Sequence, residues 1–185
     1  TINDVSAQPT VSISDVAVNE GTAAVFTVSL SGASSVDTVI DVVTATGTAG
    51  TTDYTTTTQT VTIPAGSTSV TVSVPTLTDA INEPSESFTL NGTVTSGATA
   101  NTTASGTATI NDVSAQPTVS ISDVAVNEGT AAVFTVSLSG ASSVDTVIDV
   151  VTATGTAGTT DYTTTTQTVT IPAGSTSVTV SVPTT

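Results

Sequence analysis

The chain has 185 residues, of which 15 are Asp or Glu and none is Lys, Arg or His, so its formal charge is −15. Nucleic acid is excluded as a partner because phosphate binding rests on Lys and Arg, and an anionic membrane surface is disfavoured on the same ground. Cysteine is absent as well, which removes disulfides, thiolate metal sites and thiol nucleophiles.

Along the chain the apolar residues fall at alternate positions. Val11 and Ile13 flank Ser12; Phe26, Val28 and Leu30 alternate with Thr27 and Ser29; Ile40 and Val42 enclose Asp41. Val61 and Ile63 flank Thr62, and Val70, Val72 and Val74 alternate with Thr71 and Ser73. Phe88 and Leu90 flank Thr89, and a last run covers Thr107 to Ile110. Each run has one dry face and one wet face, a strand pattern that disordered tracts lack. Ser31-Gly32, Gly47 to Gly50, Pro64-Ala65-Gly66 and Ser96-Gly97 supply the turns between them. About seven strands in roughly 100 residues, with no useful 3.6-residue apolar period, predict an all-β fold of two packed antiparallel sheets. No apolar stretch of about 18 residues is present and no basic segment precedes an apolar run, so neither membrane insertion nor a signal peptide is expected. Outward Thr and Ser suit a pleated, solvated surface. Thr55 to Thr58 could carry O-linked sugar, and Asn91-Gly92-Thr93 and Asn101-Thr102-Thr103 match the N-glycosylation pattern.

Residues Thr1 to Thr76 recur letter for letter at Thr109 to Thr184, with Leu77 against Thr185 the one mismatch in the overlap, so the repeat length is 108. On this period residues 1–4 are the tail of a preceding repeat, 5–112 a complete repeat, and 113–185 a second, identical repeat that stops before its last two strands. The expected partners are neighbouring repeats of the same chain. Alternatively, another copy supplies the missing strands by β-augmentation, which would make the protein a filament subunit. Identical modules in series add reach without adding a new kind of site. Between modules, Asp112-Val113-Ser114-Ala115-Gln116-Pro117 leaves few residues, so the join should bend little. With strands spanning roughly 20 to 26 Å, each module would advance a rod by about 40 Å.

The acids are unevenly spread. Asp15, Asp37 and Asp41 read as solubilising charge at strand edges. Glu20, Asp53, Asp79, Glu83, Glu86 and Asp112 come from four loop segments that alternating strands would bring to one end of the sandwich. No cationic side chain offsets their repulsion. A hard divalent cation would, and calcium suits an all-oxygen donor set, whereas zinc calls for His or Cys and magnesium for a tighter octahedron.

Several motifs in order carry a family resemblance: Val18-Asn19-Glu20-Gly21, Phe26 to Leu30, Gly47-Thr48-Ala49 leading to Asp53-Tyr54, Ile63-Pro64-Ala65-Gly66, Asp79 to Phe88 with Glu83-Pro84-Ser85-Glu86, and Ile110-Asn111-Asp112. Together they resemble the Calx-beta repeat over nearly the whole period. The resemblance implies seven-stranded immunoglobulin-like sandwiches that bind Ca²⁺ at one end. Such domains occur in sodium-calcium exchangers and, in long tandem arrays, in giant secreted bacterial adhesins, and the present array is similar to the adhesin kind. Carried over by position, it implies ligation by Glu20, Asp53, Asp79, Glu83, Glu86 and Asp112, with the Ile81 carbonyl as a backbone ligand; in the second copy Glu128 and Asp161 correspond to the first two. Two departures stand out. Thr78-Asp79 replaces the family's paired acids, and Asn111-Asp112-Val113 replaces its acidic closing run, so one or two ions per module are implied.

Catalysis is not expected, since no His, Cys or Lys can act as base or nucleophile. A carboxylate pair could in principle cleave a glycoside, but the aromatic platform for sugars is missing, with aromatics at 3 percent. Gly47-Thr48-Ala49-Gly50 lacks the Lys and helix of a phosphate-binding loop. The sequence therefore reads as a calcium-stiffened extender of a large extracellular, cell-surface adhesin or fibre, probably the least eventful role such an array can take. A self-assembling filament subunit and a calcium-responsive regulatory module are the competing classes.

Overall fold

The structure is a computed structural model in which residues 7–185 are described; the segment 1–4, read as the tail of a preceding repeat, lies outside them. Contacts divide the chain into two compact units, Thr1–Thr78 with Pro84–Val113, and Asp79–Glu83 with Ser114–Thr185. Among the described residues every regular element is a strand.

In the first unit one sheet has the order β1 (Val11–Ile13), β3 (Ala24–Leu30), β6 (Ser69–Val74). The other has the order β2 (Val16–Asn19), β8 (Thr103–Asn111), β7 (Glu86–Ser96), β4 (Thr38–Thr46), β5 (Thr58–Ile63). The dry faces predicted from alternation meet between the sheets: Phe26, Val28, Ile40, Ile63, Val74, Phe88 and Leu90 are wholly buried. At roughly 25 cal/mol per Å² of apolar surface, each such side chain contributes about 1.5–3 kcal/mol.

The first unit has eight strands where the apolar runs predicted about seven, because the opening strand divides. β1 pairs antiparallel with β3, and then the chain crosses to the other sheet, where β2 runs parallel to β8. Side chains take over where the ladder breaks. The Thr27 amide donates to Ser14 Oγ (2.9 Å), and the Thr107 amide donates to Asp15 Oδ1 (2.7 Å). Two glycines make room for the crossing. A Cβ on Gly106 would collide with the Ser14 carbonyl and lie 2.8 Å from Ile13 Cγ2, and one on Gly92 would lie 3.0 Å from Ile13 Cδ1. Ile13 thus packs into the space that two neighbouring strands leave by carrying no side chain.

The carboxylates read as solubilising charge do more than that. Asp15 acts as above, Asp37 Oδ1 accepts from the Ala65 amide (2.8 Å), and Asp41 Oδ1 accepts from the Thr60 hydroxyl. Of the two glycosylation patterns, Asn101 is fully engaged: Oδ1 accepts from the Val11 amide (2.7 Å), and Nδ2 donates to the Val11 and Thr103 carbonyls (both 2.9 Å). Asn91 is half-buried, with Oδ1 accepting from the Ser105 hydroxyl at 2.9 Å. Both amides serve the fold.

The second unit repeats β1, β3 and β6 as β9 (Val119–Ile121), β10 (Ala132–Leu138) and β13 (Ser177–Val182), in the register of the first: Ala132 faces Val182 as Ala24 faces Val74. β11 (Thr146–Val151) and β12 (Thr166–Ile171) form a two-stranded sheet. Within this unit Asn82 bridges Ser142, its amide donating to the Ala141 carbonyl and its carbonyl accepting from the Ser143 amide, both at 3.0 Å. Identical sequence does not give identical structure throughout. Residues 124–127 match β2 in sequence but form no strand, and β11 stops at Val151 where β4 continues to Thr46. In the first unit those stretches pair with β8 and β7; no counterpart of β7 or β8 is present among the described residues of the second.

Gly106→Ala should therefore lower the stability of the first unit by about 1–3 kcal/mol in a thermal melt, through overpacking at Ile13 and Ser14. Gly32→Ala, whose new Cβ meets nothing within 4 Å, should shift it by less than about 0.5 kcal/mol.

Candidate metal centre

The acidic end of the first unit is built on an aromatic contact. Tyr54 stacks on Phe88 with ring centroids 4.1 Å apart and an interplanar angle of 13°, and Phe26 meets Phe88 edge-on at 5.9 Å. Asp53 precedes Tyr54. Glu86 lies two positions before Phe88 on β7, so it shares the inward face of that strand at the rim of the core. Packing of the rings thereby fixes the backbone on which both carboxylates stand.

Hydrogen bonds join the same two segments. The Ala49 amide donates to the Ser87 carbonyl (2.9 Å), and the Ser87 amide donates to Thr48 Oγ1 (2.8 Å). The approach is close enough that a Cβ on Gly47 would sit 2.5 Å from the Ser87 carbonyl oxygen. On the other side Tyr54 bridges Thr76, the Leu77 amide donates to the Asp53 carbonyl (2.8 Å), and Thr76 Oγ1 donates to the Thr22 carbonyl (2.9 Å).

Local chemistry orients the Asp53 carboxylate. Oδ2 accepts from the Gly50 amide (2.6 Å) and Oδ1 from the Thr52 hydroxyl (3.0 Å), closing a turn over Gly50-Thr51-Thr52-Asp53. The identical segment of the second unit makes the same turn, with the Gly158 amide donating to Asp161 Oδ2 at 2.7 Å. This turn is encoded in its own four residues. Each carboxylate oxygen keeps a lone pair beyond the bond it accepts.

Asp53, Glu83 and Glu86 are all half-buried and each offers a carboxylate oxygen within 4.8 Å of the others. Two unit negative charges that far apart repel by roughly 3 kcal/mol at an effective dielectric of about 20, and by less where water screens them. Glu83 and Glu86 are close because only Pro84 and Ser85 separate them; Asp53 joins them through the contacts just described.

The remaining candidates stand apart from that group. Glu20 is half-buried, with its Oε2 enclosed, and its amide donates to the Asn111 carbonyl (3.0 Å), which brings its backbone beside Asn111 and the half-buried Asp112. Asp79 is exposed and its Oδ1 accepts from the Ile81 amide (2.7 Å), so it closes a turn ahead of the glutamates. Ile81 is half-buried. In the second unit Glu128 and Asp161 are exposed, and no group of three acids forms there among the described residues. The residues that hold the site together, Thr48, Tyr54 and Ser87, had no sequence signal as site residues beyond the small residue at Gly47.

The Calx-beta domain model matches residues 6–115 and again 114–185. A comparison with curated protein sequences finds no match. Among solved structures the chain is similar to the calcium binding domain CBD12 of CALX1.1, at TM-score 0.51 and 14% identity, over 94% of this chain and 75% of that one. CBD12 from CALX1.2 aligns over the same shares at TM-score 0.47 and 15% identity. The apo-form Calx CBD1 domain covers 56% of this chain and 97% of its own at TM-score 0.44 and 16% identity. At such identities the likeness speaks for the fold alone; the family rests on the two domain matches, which together span nearly the whole chain. The protein is a member of the Calx-beta domain family.

Proposed function

We propose that this chain is a calcium-stiffened structural extender of a large extracellular adhesin or surface fibre, a spacer whose acidic loops hold Ca²⁺ and whose repeats supply length. The observation that carries the reading is the gathering of the Asp53, Glu83 and Glu86 oxygens within 4.8 Å in a chain with no Lys, Arg or His to offset them. Calx-beta is a binding and regulatory family, known for calcium-binding modules in sodium-calcium exchangers.

The residues present fit the ion. Calcium takes six to eight oxygens at about 2.3–2.6 Å and tolerates irregular geometry. The three carboxylates would supply its first ligands, with Glu20, Asp79, Asp112 and the Ile81 carbonyl as further oxygen donors and water completing the shell. Bound there, the cation would neutralise their mutual repulsion and tie together the loop of Asp53 and the start of β7. Exact repetition of 76 residues favours length over sensing, since each copy adds the same surface again. The short Asp112–Pro117 join favours stiffness. Adhesive contacts would be made by other parts of such a fibre.

Millimolar calcium should raise the melting temperature of the intact chain by several degrees relative to chelator, because ligand at 100 times Kd stabilises a domain by about 2.7 kcal/mol. Asp53→Asn and Glu86→Gln should each remove most of that shift; Asp37→Asn, at the Ala65 turn, should leave it intact. In small-angle scattering, chelator should broaden the distance distribution of the chain. Curves that superimpose with and without calcium would refute the stiffening role, and a large calcium-driven change of shape would favour a regulatory module.

A further inference from the structure

The second unit carries a cavity of about 410 Å³ whose lining includes Ile121, Phe134, Val136, Val150, Tyr162 and Val182. The same six sequence positions in the first unit are Ile13, Phe26, Val28, Val42, Tyr54 and Val74, none more than 7% exposed. Since the two stretches are identical in sequence, the first unit shows what covers this surface. Phe88 stacks on Tyr54 and abuts Phe26, and Leu90, Ala108 and Ile110 complete the layer. Without that layer the outer wall opens: Ile121 is 55% exposed and Val119 49%, against 7% for Ile13 and 4% for Val11.

A second, independent feature is the backbone beside the cavity. In the first unit Ile40 to Thr46 pair with Phe88 to Val94, and Val16 to Asn19 pair with Ala108 to Asn111. Their counterparts in the second unit, 148–154 and 124–127, have no such ladder among the described residues. An apolar slot flanked by strand edges on two sides is the form that strand addition requires.

We propose that this face is a strand-acceptor site, and that its occupant is a β-hairpin of the sequence Glu86–Asn111 supplied in trans by another polypeptide of the same repeat. The Phe88 ring fills the space over Tyr162, the first strand pairs with 148–154, and the second strand pairs with 124–127 and draws it into a β2-like strand. The hairpin comes from a segment not already folded into a module. Each copy of this chain holds a single such hairpin, seated in its own first unit, and lifting it out would open a face of the same kind; two finished copies therefore gain nothing by exchange. Chains joined this way would be linked end to end by main-chain hydrogen bonds. The inference does not depend on calcium.

The test adds a peptide of residues 84–113, carried on a soluble protein, to the intact chain and follows amide hydrogen exchange. Expected is saturable one-to-one binding that slows exchange at least tenfold in 119–127 and 146–154 and leaves the first unit unchanged, with a Phe88→Ser peptide binding at least tenfold more weakly. Absence of protection at 100 µM peptide (about the effective range of a weak interface) would overturn the proposal. So would equal binding by the Phe88→Ser peptide, or protection only when the segment is fused to the chain's C-terminus. Dimers of the chain alone that protect the same amides would overturn the choice of occupant.

Discussion

Phe88 lies between Tyr54 and Phe26, and the first unit is organised around that packing. One ring closes the core between the two sheets, aligns β7 along β4 and β8, and brings the backbone of Glu86 to that of Asp53. Aromatic pairs of this geometry add about 0.5–1.5 kcal/mol beyond their burial. The acidic end is thus a consequence of the hydrophobic core. Energy gained by burying apolar surface holds like charges together that would separate if free.

The same contact explains what differs between the repeats. Phe134 and Tyr162 are buried less than Phe26 and Tyr54, although their neighbours in sequence are the same. Residues 124–127 and the far end of β11 likewise lose strand pairing. Strand formation here is a property of the partner as much as of the segment, as expected where β propensity reflects packing against cross-strand neighbours.

Most of the fold was legible in the sequence because alternation marks a strand and its buried face together. The Phe26 and Val72 runs fall on strands with the inward residues as predicted. The crossing from β1 to β2 was not legible, since it depends on Gly92 and Gly106, far along the chain. At the candidate site the Asp53 turn is local and the Glu83–Glu86 spacing is local, so both could be read. That these join each other, while Asp79 turns back on the Ile81 amide and Glu20 lies beside Asn111, depends on contacts between Thr48, Ala49 and Ser87 that no spacing reveals. Asp15, Asp37 and Asp41, read as solvated charge, proved to be hydrogen-bond acceptors for turns and edges.

The central claim is that the half-buried carboxylates of Asp53, Glu83 and Glu86 hold calcium. Anomalous diffraction from crystals grown in millimolar calcium tests it most directly. The account predicts a calcium peak bonded to oxygens of all three side chains. An ordered acidic end with no anomalous peak, its three carboxylates turned apart into solvent, would contradict it.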